Sequence, residues 1–276
     1  MENSSVQAPL EVVVSPMEVM EVVVAPSAGR CPFAHGKSSG APVQHRLPLL
    51  TASQVDQMSA TAGPLAETLA WVRSFLARPN PELGRTGPVC PYVPMALTLD
   101  TIWCALVPGA VTDPAHLAAV IGEYRDLFLS LEPRQLPEAM NKAILIVFPD
   151  LGEGGAAVVD EVQRELKPRF VETGLMLGEF HAANESPGLR NPDFRPLRSP
   201  IPMLAIRHMV ETDLPFLTRS LDPPALRASF MRSYLRRLGG TVTRNSFGQA
   251  IEGLVTAELE LRIGAGALVV EASAVR

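Results

Sequence analysis

Short apolar runs alternate with segments of helical periodicity along most of this chain, and this alternation limits the folds it can adopt. The apolar runs at 97–107, 143–148, 175–180 and 203–210 predict four strands, and the continuous run at 143–148 predicts a buried one. Between them, apolar residues recur at helical spacing. The sequence therefore predicts an α+β fold, a single globular domain with a central mixed β-sheet and flanking helices.

The helices are predicted from apolar spacing and from signals at their ends. Asp113 is the expected N-cap of one helix, and Pro133 is expected to stop it. The pair Gly239-Gly240 is expected to end another. The predicted helices cover residues 61–77, 114–131, 154–170, 214–219 and 223–238. The segment 254–272 alternates in part, and we expect it to form one or two closing strands.

The first 45 residues differ in composition from the rest. Glu-Val-Val-Val occurs at 11–14 and again at 21–24, and each copy is followed directly by Ser-Pro or Ala-Pro. These prolines and the neighbouring Ser and Gly residues disfavour a packed strand. We expect a disordered N-terminal arm over 1–45, with an added edge strand as the alternative, and a globular domain over 46–276.

Composition and charge argue against several classes of protein. The chain has 276 residues, of which 47% are hydrophobic, enough for a sizeable core. Its formal net charge of -5 gives no electrostatic reason to expect a nucleic-acid partner. No apolar run approaches the roughly 20 residues of a membrane span, and the acidic start does not resemble a secretory signal. With only three cysteines, we expect a cytoplasmic protein.

The residues with the most chemical potential lie in an irregular segment, 181–202, which we call the Arg/Pro loop. It holds six prolines and glycines and begins with His181, directly after a predicted strand. Long structureless segments inside compact domains are uncommon and usually functional. An imidazole at a strand end can ligate haem iron if an acceptor holds its other nitrogen, and arginines suit the haem propionates. The candidate arginines are Arg190, Arg195, Arg198 and, on the next strand, Arg207.

Other interpretations of these residues stay open. A single histidine is more often structural, and an Arg/Pro-rich loop is more often a solvated surface paired with acidic neighbours. His208 is the second candidate for the axial ligand. Cys90 is a third, because a thiolate can also ligate haem, and His181 would then be distal or structural. Three residues with weaker claims are Cys31, His45 and His116.

Three short motifs carry a family resemblance. They are Gly-Pro-Val-Cys-Pro-Tyr at 87–92, Gly-Glu-Phe-His at 178–181, and the apolar strand with its following helix over 199–217. Over residues 85–220 the chain resembles the haem-dependent N-oxygenases related to the YqcI/YcgG family. Its spacing after His181 differs from that family's pattern, as it would in a sister family.

The resemblance implies haem b as cofactor, with His181 as the iron ligand and O₂ or peroxide as oxidant. It also implies hydroxylation of an amino-acid side-chain nitrogen, L-arginine to Nω-hydroxy-L-arginine, in the biosynthesis of the antibiotic D-cycloserine. Because no glycine-rich dinucleotide fingerprint is present, electrons are expected from a partner reductase unless peroxide is used. Candidate anchors for a cationic substrate are Glu179, Glu185, Asp193 and Glu211.

Two other classes of function compete with this one. A haem-binding carrier or sensor would use the same histidine and cysteine without turnover. A cofactor-free interaction domain would use the Arg/Pro loop as a docking surface. Haem binding separates the last class from the other two, and turnover separates an enzyme from a carrier.

Overall fold

The computed structural model describes residues 49–58, 62–109, 113–152 and 154–274, with side chains as far as residue 264. The predicted N-terminal arm, including Cys31 and His45, lies outside the described residues. Five strands form one sheet. They are β1 (Leu50–Thr51), β2 (Ile102–Leu106), β3 (Ala143–Val147), β4 (Leu175–Phe180) and β5 (Met203–His208).

The sheet is mixed, with strand order β1-β2-β3-β5-β4. Strands β2 and β3 are parallel, whereas β5 is antiparallel to both β3 and β4. The short β1 pairs antiparallel with β2. Strands β2, β3 and β4 therefore run in one direction, and the segments that follow them leave from the same edge of the sheet. His181 begins the segment that follows β4, and the predicted α+β fold with a central mixed sheet is confirmed.

Helices lie on both faces of the sheet and beside β4. They are α1 (Ala52–Gln57), α2 (Gly63–Trp71), α3 (Val93–Thr98), α4 (Pro114–Ser130), α5 (Gly155–Glu172), α6 (Leu214–Leu217), α7 (Pro224–Leu238) and α8 (Arg244–Ala274). Helix α2 continues as a π-helical segment, Val72–Leu76. The predicted N-cap of α4 is confirmed, because the Asp113 carboxylate accepts a hydrogen bond from the Ala115 N–H at 3.0 Å. Among the described residues, no helix is long and apolar enough to cross a membrane.

Alternate residues of β2 show how the helices cover the sheet. Trp103 and Ala105 pack in a cluster with side chains of α4 and α5. Ile102 and Cys104 point to the opposite face and pack with α1, α2 and α3. A third apolar cluster joins α6, α7 and α8 to the edge of the sheet at Met176. Burial of each large apolar side chain contributes about 1.5–3 kcal/mol, so all three clusters stabilise the domain.

The strand predicted over 97–107 begins too early. Residues 93–98 form α3, and the chain then turns at Asp100, whose φ is 52°. Strand β2 starts only at Ile102. The apolar character of the segment is continuous, and such a run does not by itself distinguish a helix from a buried strand.

The closing strands predicted over 254–272 are wrong, because this segment belongs to the long helix α8. Ala250 and Ala257 are buried, and Leu254 packs in the cluster with α7. Those three positions follow helical spacing. The helix also carries apolar residues on its outer side, and two apolar faces obscure the period of 3.6 residues.

Candidate functional site

His181 has one ring nitrogen held by a carboxylate and one without a partner. It is 3% exposed, and its Nε2 lies 3.0 Å from Oδ1 of Asp160 on α5. A carboxylate accepts, so we assign the ring proton to Nε2 and the lone pair to Nδ1. Nδ1 is buried and has no hydrogen-bond partner among the described residues. Buried polar atoms are nearly always paired, so this nitrogen is suited to an additional ligand.

Local hydrogen bonds fix the start of the Arg/Pro loop around His181. The His181 N–H donates to the Leu197 carbonyl at 3.3 Å, and its carbonyl accepts from the Asn184 N–H at 3.1 Å. The buried Asn184 also donates through Nδ2 to the Glu179 carbonyl at 3.3 Å. These contacts hold the imidazole against α5, although the loop has no regular secondary structure.

Arg195 and Arg198 converge on one carboxylate at the surface of the loop. Arg195 donates from Nε to Glu185 at 3.1 Å, and Arg198 donates to the other oxygen of Glu185. Hydrogen bonds from the two arginines lower the pKa of the Glu185 carboxyl. Exposed ion pairs of this kind are weak, so another carboxylate could replace Glu185 at little cost.

The Arg/Pro loop docks on the segment that precedes α3. The Asn191 side chain donates to the Glu82 carbonyl at 2.8 Å, and Phe194 is buried. Gly84 has a φ of 72°, and a Cβ there would come within 3.0 Å of the Arg190 Cβ. Glycine therefore allows the close approach of the two segments. The Arg190 side chain itself is exposed.

Arg207 lies apart from His181. It donates two hydrogen bonds to the buried Asp213, at 2.7 and 2.6 Å. Burial acts to lower the pKa of the Arg207 guanidinium, but the charge and hydrogen bonds of Asp213 outweigh it and the pKa is raised. In the pairing of β4 with β5, Arg207 is level with Met176, five residues before His181. At about 3.3 Å per residue the two lie about 16 Å apart along the strands.

Cys90 lies on the Arg207 side of the molecule. The thiol is partly buried in the cluster formed by α2, α3 and the sheet. Its backbone N–H donates to the Leu76 carbonyl at 2.9 Å. Tyr92, two residues on, has a raised pKa because of burial, although the charge of Arg207 acts to lower it. The structure thus places five of the six predicted haem residues in two groups, His181 with Arg195 and Arg198, and Cys90 with Arg207, while Arg190 packs against Gly84.

A comparison with known protein families matches residues 65–248, more than half of the chain. The chain belongs to the family described as domain of unknown function DUF6875. Comparisons with curated proteins and with solved structures found no match. The DUF6875 region contains β2 to β5, and both groups of predicted haem residues lie within it.

His208 is the second histidine of the DUF6875 region with a buried ring nitrogen that lacks a partner among the described residues. By strand alternation it faces the α4 side, opposite Arg207, as the sequence predicts. Its ring lies 5.1 Å from that of Phe128, and Nε2 is buried without a partner in the described part of the chain. Burial, with a contribution from Lys142, lowers the pKa of His208 to about 4. The imidazole is therefore neutral near pH 7.

We expect His208 to make the protein sensitive to acid. Its pKa is about 4 in the folded state and about 6.5 unfolded, so the unfolded chain binds more protons between these values. Stability is therefore present above pH 6.5 and is lost as the pH falls toward 4. The ring is partly solvated, so the loss between pH 7 and pH 5 is about 1 kcal/mol. Urea unfolding of wild type and His208→Phe at both pH values checks this. Equal losses in the two proteins would contradict it.

The candidate acidic anchors have different surroundings. Burial raises the pKa of the Glu179 carboxyl, although the positive charges of Arg219 and Lys167 act to lower it. Hydrogen bonds from Ser246 and Thr243 lower the pKa of Glu211, which lies at the start of α8. Asp193 is exposed, and Glu185 pairs with the loop arginines. Of the four, Glu179 is the carboxyl closest in sequence to His181, and it is the one whose pKa burial raises.

Asp160 is the site residue that sequence reasoning missed. It precedes His181 by 21 residues and reaches it through the packing of α5 on β4. The sequence does contain a signal for this residue. Polar residues recur at helical spacing on α5, at Asp160, Gln163 and Lys167. Gln163 donates to the Leu177 carbonyl of β4, and burial lowers the pKa of Lys167. This polar stripe marks the face of α5 that lies along β4.

The donor set at His181 fits haem in its chemistry. Haem iron can take one histidine nitrogen, and a metal-bound histidine donates its other ring N–H to a carboxylate, a backbone carbonyl or water. Here that partner is Asp160, and the nitrogen left for iron is Nδ1, next to the Cβ. The space around that nitrogen is filled, however, because Nδ1 has almost no exposed surface. Two cavities, of about 390 and 270 Å³, lie between α6, α7 and α8 and between α4 and α5, and none of the predicted haem residues lines either. A macrocycle could reach Nδ1 only if the Arg/Pro loop moved.

Proposed function

We propose that this chain binds haem b through His181 and uses it to hydroxylate a side-chain nitrogen of an amino acid, with L-arginine as the substrate. One observation carries the proposal: the buried His181 ring has its Nε2 on the Asp160 carboxylate and its Nδ1 without a partner. The three motifs that resemble the haem-dependent N-oxygenases support it. The reaction would belong to the cytoplasmic biosynthesis of D-cycloserine.

Each residue near His181 has a role in this proposal. Asp160 fixes the orientation of the imidazole and makes Nδ1 a stronger donor to iron. Arg195 and Arg198, which now each pair with one oxygen of Glu185, would hold the haem propionates, because a propionate offers the same carboxylate group. The Arg/Pro loop would have to move to open space for the haem beside Nδ1. Bound haem supplies the activation of O₂ or peroxide at its iron.

Glu179 provides the anchor for a cationic side chain. It lies on β4 two residues before His181, and burial keeps its pKa above the ordinary value. A guanidinium that arrives beside it favours the ionised carboxylate, because an opposite charge lowers the pKa of an acid. A planar guanidinium also matches the two oxygens of a carboxylate. Glu179 would therefore position the substrate nitrogen rather than take part in oxygen transfer.

Turnover of L-arginine tests the proposed reaction. The haem-loaded chain is incubated with L-arginine and either peroxide or O₂ with a reductase, and mass spectrometry follows a product with one added oxygen. We expect kcat/KM to fall about 10- to 100-fold in Glu179→Gln, the loss of a charged hydrogen-bonding partner. Asp193→Asn changes an exposed carboxylate of the Arg/Pro loop and should leave kcat/KM unchanged. A product that free haem forms at the same rate would contradict the proposal.

A non-catalytic haem carrier or sensor is the second candidate. The enclosed position of Nδ1 favours it, because neither described cavity offers room for a substrate beside His181. A carrier would bind haem through the same residues and form no oxygenated product with any oxidant. The turnover experiment therefore distinguishes the two candidates.

A further inference from the structure

A cavity of about 390 Å³ lies where α6, α7 and α8 meet, and residues of all three helices line it. Its volume falls within the range of about 300–1,000 Å³ that small-molecule sites occupy. None of the predicted haem residues lines it, so the proposed function gives it no role. We call it the three-helix cavity.

Part of the wall of the three-helix cavity is apolar. Leu214 and Met231 line it and are buried, and Pro215 lines it next to Leu214. Gly253 brings α8 close to this wall, because a Cβ there would lie 3.4 Å from Cγ2 of Thr218 and 3.5 Å from the Met231 sulfur. An apolar group of a ligand would therefore contact buried carbon and sulfur atoms.

Arg227 supplies a positive charge to the same cavity. Its side chain is only 12% exposed, and it lines the cavity one helical turn before Met231 on α7. The guanidinium donates from Nε to the Asp222 carbonyl at 3.0 Å, and its two terminal nitrogens each donate to Glu260. Since a guanidinium has five N–H donors, two of them have no partner among the described residues. Spare donors on a mostly buried guanidinium suit a carboxylate.

Glu252 supplies a negative charge to the cavity. Its carboxylate makes no hydrogen bond or ion pair with another described residue. Glu252, Thr256 and Glu260 follow one another at intervals of four residues, about 6 Å along α8, and with Gly253 they span about 100° of the helix. Glu252 is therefore about 12 Å along the helix from the residue that pairs with Arg227, with Thr256 between them. A ligand that lies between Glu252 and Arg227 can contact both.

We propose that the three-helix cavity binds an α-amino acid with an apolar side chain. The ligand carboxylate accepts from the spare N–H groups of Arg227, and its ammonium group donates to Glu252. Its side chain lies against Leu214 and Met231. A simple amine would leave the guanidinium donors unpaired, and a simple acid would leave Glu252 unpaired, whereas the zwitterion pairs with both. The site is independent of haem binding, and failure of either proposal leaves the other standing.

Isothermal titration calorimetry of the full-length chain with L-leucine tests the site. We expect saturable binding of one L-leucine per chain. L-Leucinamide lacks the carboxylate and 4-methylpentanoate lacks the ammonium group. Each should bind at least about 10-fold more weakly, because one charged hydrogen-bonding partner is lost. A wild-type chain that does not bind L-leucine would overturn the proposal, and so would either analogue binding as tightly as L-leucine.

Three substitutions on α8 locate the bound ligand. Glu252→Gln removes an exposed charge and should weaken L-leucine binding at least about 10-fold. Thr256→Trp fills the cavity from its exposed rim and should abolish binding. Glu258→Gln changes a residue outside the cavity lining and should leave the affinity unchanged. Circular dichroism checks that the variants are folded, and L-leucine binding as in wild type to both Glu252→Gln and Thr256→Trp would place the ligand elsewhere and overturn the proposal.

Discussion

Replacement of His181 by alanine is expected to abolish saturable haem binding. No other nitrogen in the Arg/Pro loop combines burial, a carboxylate partner and a free lone pair. Asp160→Asn keeps the imidazole but removes the carboxylate that orients it, and we expect haem affinity to fall about 10- to 100-fold. Titration followed at the Soret band measures both effects.

Two controls make the His181 result specific. His116→Ala removes an exposed imidazole in the first turn of α4 and should leave haem affinity unchanged. Far-UV circular dichroism of His181→Ala should match that of wild type, which excludes loss of haem through unfolding. If His181→Ala binds haem as wild type does and Cys90→Ala does not, the ligand is Cys90 and our assignment is wrong.

Replacement of Asp213 by alanine is expected to lower the free energy of unfolding by about 3 kcal/mol. The carboxylate is almost fully buried and accepts two hydrogen bonds from Arg207 and one from the Val210 N–H at 2.8 Å. Its removal leaves a charged guanidinium without a partner. Because the Arg207 side chain is 31% exposed, water solvates part of the unpaired charge. We therefore expect a loss of unfolding free energy near the lower end of the range for broken buried ion pairs.

A matched ion pair on the surface provides the control. Asp56 and Arg73 make the same bidentate contact, but both side chains are more than 40% exposed. Asp56→Ala should cost less than about 1 kcal/mol. Urea unfolding of the two variants gives the comparison directly. Equal losses would show that the Asp213 pair contributes no more than an ordinary surface ion pair.

Local signals were sufficient to predict much of the fold. The proline and aspartate at the start of α4, and the apolar run of β3, each act within a few residues of the element they define. Helix α8 failed because it is apolar on both sides. One side packs on α7, and the other carries exposed apolar residues such as Ile251, Val255 and Leu259, so the helical period does not stand out.

The candidate site could be predicted only in part, because some of its residues meet only through the packing of distant segments. The position of His181 at a strand end follows from local pattern, and the structure places it there. Its partner Asp160 comes from another element, and only the packing of α5 on β4 joins them. The separation of Arg207 from His181 follows from the antiparallel direction of β5, which places the end of that strand at the opposite edge of the sheet.

The central claim is that this chain binds haem through His181, and a haem titration of the purified wild-type chain tests it most directly. We predict a sharp Soret band that grows until about one haem is bound per chain and then stops, as expected for one histidine ligand. A spectrum that keeps the shape of free haem and never saturates would contradict the account.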